Sequence, residues 1–339
     1  VGFAAVTGSS VATVSALARG SITEMERFGF SSKFAAGLVA TVGTLGILIP
    51  PSVAMALYGV VSGESIGRLL MAGILPGLLS ATVYIITIMT LVRFFPRFAL
   101  DATKEEARAG DASVQGQPLP TLLVSGALTG AIFVIIVGGI FTGRFTATES
   151  AAIGAVVAGL VLVFRFLGKP REMRRRLFAA SRETTSTVGM LFALIVGGSI
   201  FTAFLVSAGV PSALTRAIID MGLPPYVVVL FFLLLMVALG CILDGFSIIL
   251  ITVPLMHPIV TDLGFNGIWF GILVVKMVEI GLITPPVGLN VFVVSGVMPR
   301  IPVGDVFRGV LPFYFSELAI VTLIILFPAI VMFVPDLMK

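Results

Sequence analysis

The chain has 339 residues, 58% of them hydrophobic and 11% charged, with a net charge of +4. A soluble domain carries roughly 45–50% apolar and about 25% charged residues, so these charges are too few to cover a water-facing surface; at a mean hydropathy of +1.15 the chain belongs in lipid. The single cysteine, Cys241, excludes an internal disulfide and a thiolate metal cluster, and the basic residues lie between apolar spans, as topological charge does and a nucleic-acid footprint does not.

The chain opens on Val1 and Gly2 with no signal-peptide pattern, which points to a native polypeptide that extends further toward the N-terminus. Thr7-Gly8-Ser9-Ser10 then combines hydroxyls with a flexible glycine just before an apolar arm. A helix starting after Ser9 or Ser10 would aim free N–H groups and its positive dipole end at an anion such as a carboxylate. An ordinary Gly-Ser-Ser loop is the plainer alternative.

A broken helix is predicted over 34–61, a span over 67–95 and a polar loop over 96–119 that holds Asp101, Lys104, Glu105, Glu106, Arg108 and Asp111. Spans follow at 120–141 and 147–167, then a basic stretch from Arg165 to Arg182, then a span at 185–207. Residues 210–222 are short and amphipathic, as an interfacial helix is. The apolar arms 224–241 and 246–260 flank Leu243-Asp244-Gly245, a second broken helix covers 267–297, and a last span covers 309–335.

The two ends of the chain repeat. Phe28-Gly29-Phe30 returns as Leu263-Gly264-Phe265, and Gly46 to Pro51 returns as Gly281 to Pro286, both 235 residues later. Gly8-Ser9-Ser10 falls opposite Leu243-Asp244-Gly245 at the same offset. If 224–260 is a re-entrant hairpin, four spans separate the broken helices and the repeats are inverted, a signature of secondary transporters. Counted by loop, sixteen Lys and Arg residues fall on the side of the 96–119 loop and four on the other, with Lys276 inside a span. The positive-inside rule then makes the first side cytoplasmic and the C-terminus periplasmic.

A double proline inside a membrane segment is the strongest local signal. Proline removes a backbone donor and frees carbonyls that lipid cannot satisfy, which is tolerated where the backbone lines a cavity or binds a cation. The carbonyls near Pro50-Pro51 and Pro285-Pro286, with the Thr284 hydroxyl, are hard oxygen donors suited to sodium; a kinked, packed helix is the alternative for either motif alone. Asp244 is costly at membrane depth and reads equally as a cation ligand or as the N-cap of the arm that follows. Lys276 and Glu279, three apart on a helix, read as an internally neutralised pair. Asn290 suits a carboxylate or plain helix packing. His257 has no second histidine or cysteine nearby and reads as structural, and Glu149 as a helix N-terminal charge.

GTLGILIPPS at 43–52, YGVVSGESIGRLLMAGILPG at 58–77, EIGLITPPVGLNVF at 279–292, LDGFSIILITVPLMHPI at 243–259 and GSSVAT at 8–13 closely resemble the large membrane subunit of TRAP (tripartite ATP-independent periplasmic) transporters. The likeness runs over essentially the whole chain. It implies an all-α polytopic protein of inverted repeats with re-entrant hairpins and broken helices, working as an elevator in the bacterial inner membrane. Its implied partners are a small four-helix membrane subunit and a periplasmic substrate-binding protein, and its substrates are organic acids such as dicarboxylates or sialic acids, with sodium as the coupling ion.

Carried over, one sodium site would use Thr7, Gly46, Leu48 and Pro51, and the other Gly240, Asp244, Gly281, Ile283, Thr284 and Pro286, while Ser9, Ser10 and Asn290 would meet the substrate. The transport domain would comprise 1–61 and 224–297, with 62–223 as scaffold and 298–339 as a C-terminal scaffold helix. The family chain usually begins with further helices and the first arm of hairpin one, whose repeat partner is 224–241. Two alternatives stand beside this reading: a stand-alone ion-coupled carboxylate transporter or antiporter without a binding protein, and a membrane-embedded enzyme. The enzyme needs a paired nucleophile and base or a metal cluster, and the sequence around His257 and Asp244 shows neither.

Overall fold

The computed structural model describes residues 9–101 and 119–338. Thr7 and Gly8 of the first tip, and Lys104, Glu105, Glu106, Arg108 and Asp111 of the polar loop, lie outside the described residues. Helix α1 (Ser10–Arg27) starts at its cap Ser9, and α2 (Ser32–Val42) at its cap Ser31. After the single turn α3 (Leu45–Leu48) the chain unwinds over 49–52 and resumes as α4 (Val53–Ser62), bent by 45° from the preceding stretch. The cause is covalent. Pro50 and Pro51 carry no N–H, so the carbonyls of Gly46 and Ile47, four residues earlier, lose the donors that a continuing helix would supply.

Helices α5 (Ile66–Ala72) and α6 (Ile74–Phe94) form one span, followed by the short α7 (Pro96–Ala99). Next come α8 (Leu119–Phe141), α9 (Ala147–Arg165), α10 (Pro170–Ser207) and the amphipathic α11 (Val210–Asp220). The second hairpin is α12 (Pro225–Gly240) and α13 (Gly245–Asp262). The second broken helix is α14 (Gly267–Gly281), an unwound stretch over 282–288, and α15 (Leu289–Val297), and the chain closes with α16 (Val303–Leu326) and α17 (Ala329–Asp336). Among the described residues five helical stretches are long and apolar enough to cross a membrane, and the bent α2–α4 segment makes a sixth. No strand occurs among them beyond an isolated bridge between Phe30 and Leu100.

Two boundaries differ from expectation. Helix α10 begins at Pro170, not near 185, and takes in the basic stretch from Arg171 to Arg182. Pro170 presets the first helical φ, and Glu172 bonds Arg175 and Arg176 at 2.9 Å, so the i,i+3 and i,i+4 pairs support a helix where charge alone reads as loop. The last span runs over 303–326, since Pro328 interrupts what had been expected to continue to 335. Glu149 behaves as expected, completing a capping box with Thr146.

The internal repeat extends from sequence to structure. α1 and α13 are both 18 residues long and start 235 residues apart, as do α2 and α14. The turn that follows each hairpin arm uses a left-handed glycine, Gly29 (φ 82°) or Gly264 (φ 87°). Contacts between the halves are reciprocal: α1 packs on α15 while α13 packs on α4, and α2 packs on α16 while α14 packs on α5. A two-fold axis generates such pairs of contacts. Ion pairs follow the same rule. Glu26 at the end of α1 binds Arg300 after α15 (2.8 Å), and His257 near the end of α13 meets Glu64 after α4 (3.3 Å), so the lone histidine does have a distant acidic neighbour.

The α2–α16 contact is the most extensive among the described helices. It depends on Gly37 and Gly309: a Cβ on Gly309 would overlap the Lys33 carbonyl, and one on Gly37 the backbone of Gly309. Gly309→Ala is therefore expected to cost about 1–3 kcal/mol, the usual range for overpacking. A lowered melting temperature of the purified protein in detergent would report it, and an unchanged one would show that the helices part freely.

Candidate functional site

The hairpin tips and the helix breaks converge on one cavity of about 340 Å³. Ser9 and Ser10 of the first tip face it together with Asp244 and Gly245 of the second. Ile47 and Leu282 reach it from the two breaks, and Ala54 and Leu289 from the helices beyond them. With Val11 and Phe246, these lining residues form five pairs, each separated by 235 positions. Among the described residues, Val278 of α14 and Met190 of α10 complete the wall without a repeat partner in it. The cavity thus lies on the pseudo-two-fold axis.

Its chemistry follows from that position. Ser10, Gly245 and Leu289 are the first residues of α1, α13 and α15, and Ala54 is the second of α4. Four helix N-termini therefore border one space, each carrying roughly half a positive charge and unpaired N–H groups. Among the described residues, no Lys, Arg or His side chain lines it. An anion there would be met by backbone dipoles and hydroxyls and also by the Asp244 carboxylate, whose charge the capped N–H groups of α13 partly offset; the rest of the wall is apolar.

The expected site residues separate into groups. Asp244 caps α13, its carboxylate accepting from the N–H groups of Phe246 (3.0 Å) and Ser247 (3.2 Å) and from the Ser247 hydroxyl. Its capping role is therefore realised while the carboxylate stays exposed at the cavity. Ser10 is buried and its Oγ accepts from Asn290 Nδ2 at 2.6 Å; Asn290 also donates to the Ala40 carbonyl at 3.0 Å. Asn290 does not line the cavity but braces the first tip from behind, and its Oδ1 has no hydrogen-bond partner among the described residues.

Gly240 and Gly281 meet backbone to backbone: a Cβ on Gly281 would lie 2.8 Å from Gly240 Cα. Gly46 and Leu48 are buried, and Pro51 lies under α8 and α9 in a groove lined by Phe133 and Gly154. Ile283, Thr284 and Pro285 line a separate groove of about 430 Å³ with Phe307 and Tyr314. There the Thr284 hydroxyl donates to the Ile280 carbonyl at 2.6 Å, while Pro286 is exposed. The first break is thus buried and the second open. In the second, Thr284 N–H reaches Gly281 O at 3.2 Å and Asn290 N–H reaches Leu282 O at 3.0 Å, partial substitutes for the donors that Pro285 and Pro286 lack. Both Pro–Pro bonds are cis.

Sequence reasoning missed Met190, Val278 and the paired aliphatic lining. The 235-residue offset would have linked Ala54 to Leu289 once either was known. It also missed the third member of the buried ion cluster. Lys276 Nζ lies 2.6 Å from Glu279 and 2.5 Å from Glu317, with Ser80 at 3.3 Å and the Tyr84 hydroxyl donating to Glu317. All three charged side chains are fully buried, where α6, α14 and α16 meet.

A family model described as "Tripartite ATP-independent periplasmic transporter, DctM component" matches residues 1–330. The chain is similar to the C4-dicarboxylate TRAP transporter large permease protein DctM of Pseudomonas aeruginosa, at 35% identity over 98% of this chain and 75% of that protein. It is similar also to the sialic acid TRAP transporter large permease protein SiaM of Vibrio cholerae (31%; 99% and 75%) and to the ectoine TRAP transporter large permease protein TeaC of Halomonas elongata (32%; 99% and 75%). With apolar spans, two proline-broken helices and a match over nearly its full length, this multi-pass inner-membrane chain belongs to the large permease (DctM) family of tripartite ATP-independent periplasmic transporters.

Proposed function

We infer that the chain carries an organic carboxylate across the inner membrane, coupled to sodium, by an elevator motion of its paired hairpins and broken helices. The observation that carries this reading is the cavity on the pseudo-two-fold axis, walled by five repeat-related residue pairs and bordered by four helix N-termini. Its volume of about 340 Å³ suits a small organic acid. Sodium is a co-transported substrate in this reading. The donors assigned to it are backbone carbonyls around Gly46, Leu48 and Pro51 for one site and around Gly281, Ile283 and Pro286 for the other, with Gly240, Asp244 and Thr284 joining the second. Thr7 would join the first set.

Solute reaches the chain from a periplasmic binding protein, and a small membrane subunit packs beside it, as the tripartite family implies. The C-terminus is periplasmic by the loop charges. The moving unit includes α6 and α16, which sequence alone assigned to the scaffold. They share the buried Lys276 cluster with α14, and α16 makes the tightest helix contact with α2, so sliding them past the broken helices would tear that cluster open. Helices α9 and α10, with few or no buried residues, form the scaffold side.

Thr284→Val combined with Asp244→Asn is expected to raise the sodium concentration needed for half-maximal uptake about tenfold or more, since each loses a charged or polar oxygen worth about 1 kcal/mol. The assay is uptake into vesicles holding the complete transporter, with and without binding protein. An unchanged sodium requirement would remove these residues from the coupling site, and full-rate uptake of free solute without the binding protein would favour a stand-alone carrier.

A further inference from the structure

We propose that the turn between α9 and α10 binds an anionic phospholipid, its phosphodiester held between Arg165 and Arg176. A groove of about 360 Å³ opens there, lined by these two arginines with Ala158, Val161, Leu162 and Phe166. Helix α9 has 19 residues and rises about 28 Å, close to the roughly 30 Å of a bilayer's hydrocarbon core. Arg165 in its last turn therefore sits at the level of lipid headgroups.

The arginines are arranged to receive an anion. Arg176 stacks over the Phe166 ring at 4.9 Å and is held through Nε by Glu172 at 2.9 Å. Its two terminal nitrogens, and the whole Arg165 guanidinium, have no protein partner among the described residues. Guanidinium groups pair with phosphate in bidentate fashion. The remaining walls are apolar, and exposed Phe164 and Leu167 continue the apolar surface beside them. That combination fits a phosphodiester with the first methylenes of its acyl chains, whereas free phosphate would leave the walls unused. Lys169, Arg171, Arg174, Arg175 and Arg182 add positive field around the groove. A cluster of this kind beside a span attracts anionic lipid, each nearby cation strengthening the attraction several-fold.

The test is native mass spectrometry of the purified protein exchanged into detergent with equal amounts of phosphatidylglycerol and phosphatidylethanolamine. The wild type is expected to retain phosphatidylglycerol, Arg165→Gln/Arg176→Gln to retain roughly tenfold less, and Arg165→Lys/Arg176→Lys most of it. Arg171→Gln/Arg174→Gln removes the same charge outside the groove and should change retention little. Equal loss in both glutamine variants would reduce the effect to diffuse charge and overturn the site. Inorganic phosphate at millimolar concentration should leave the bound lipid in place. Displacement by phosphate, or equal retention of phosphatidylethanolamine, would also overturn it. Unchanged helicity and elution volume of each variant keep misfolding apart from lost binding.

Discussion

Replacing Pro285 and Pro286 together with alanine is expected to lower sodium-dependent uptake by about a hundredfold while the protein stays folded. Each substitution restores an N–H, one facing the Gly281 carbonyl and the other that of Leu282, and so invites α14 to run on toward α15. Proline is about 3 kcal/mol worse than alanine inside a helix, enough to move the local equilibrium by about two orders of magnitude. Closing the break withdraws the freed carbonyls from any cation and swings the N-terminus of α15 away from the cavity. Loss of a proline as such is controlled by Pro254→Ala, because α13 is continuous past Pro254 and gains only a bond. Uptake in vesicles, with helicity measured in parallel, separates the outcomes. Wild-type uptake by the double variant would mean that the unwound stretch serves packing alone.

Lys276→Met has the second large expected effect, on stability. The ammonium lies between Glu279 and Glu317 at 2.6 and 2.5 Å, with no exposure of any of the three side chains. A charged triad of this kind adds little stability over a well-packed apolar replacement, yet removing one member leaves buried charge uncompensated at a cost of about 3–5 kcal/mol. In a protein of this size that corresponds to a fall in melting temperature of roughly 10 °C. The triple variant Lys276→Met/Glu279→Gln/Glu317→Gln should regain most of the loss, because it removes the charges along with their partner. If the single variant melts with the wild type, the cluster is wetter than its packing indicates.

Much of this architecture was legible in the sequence because its causes are local. Two adjacent prolines must break a helix wherever they stand, and Asp244 before Gly245 is a cap by residue type and spacing. The repeat was legible because glycine and proline are needed at fixed backbone positions, so Gly29 and Gly264 survive while the apolar residues around them drift. Distant partners were not legible. Nothing in the local pattern of Lys276 and Glu279 points to Glu317, nothing near His257 points to Glu64, and the pairing of Gly37 with Gly309 needs the helices already docked. The length of α10 was misread for a related reason: a run of arginines scores as loop until Glu172 is placed one turn away from two of them. Ser9, Ser10 and Asp244 were found because they sit at tips, whereas Met190 and Val278 belong to the cavity only through tertiary packing.

In the proposed mechanism, backbone oxygens at two repeat-related breaks, one buried and one open, bind sodium. Melting of the purified protein in sodium chloride and in potassium chloride at equal ionic strength tests it most directly, because a ligand that binds only the folded state raises the melting temperature. A concentration-dependent rise with sodium and none with potassium, lost in Pro285→Ala/Pro286→Ala, is the expected result. Superimposable melting curves in the two salts would contradict it.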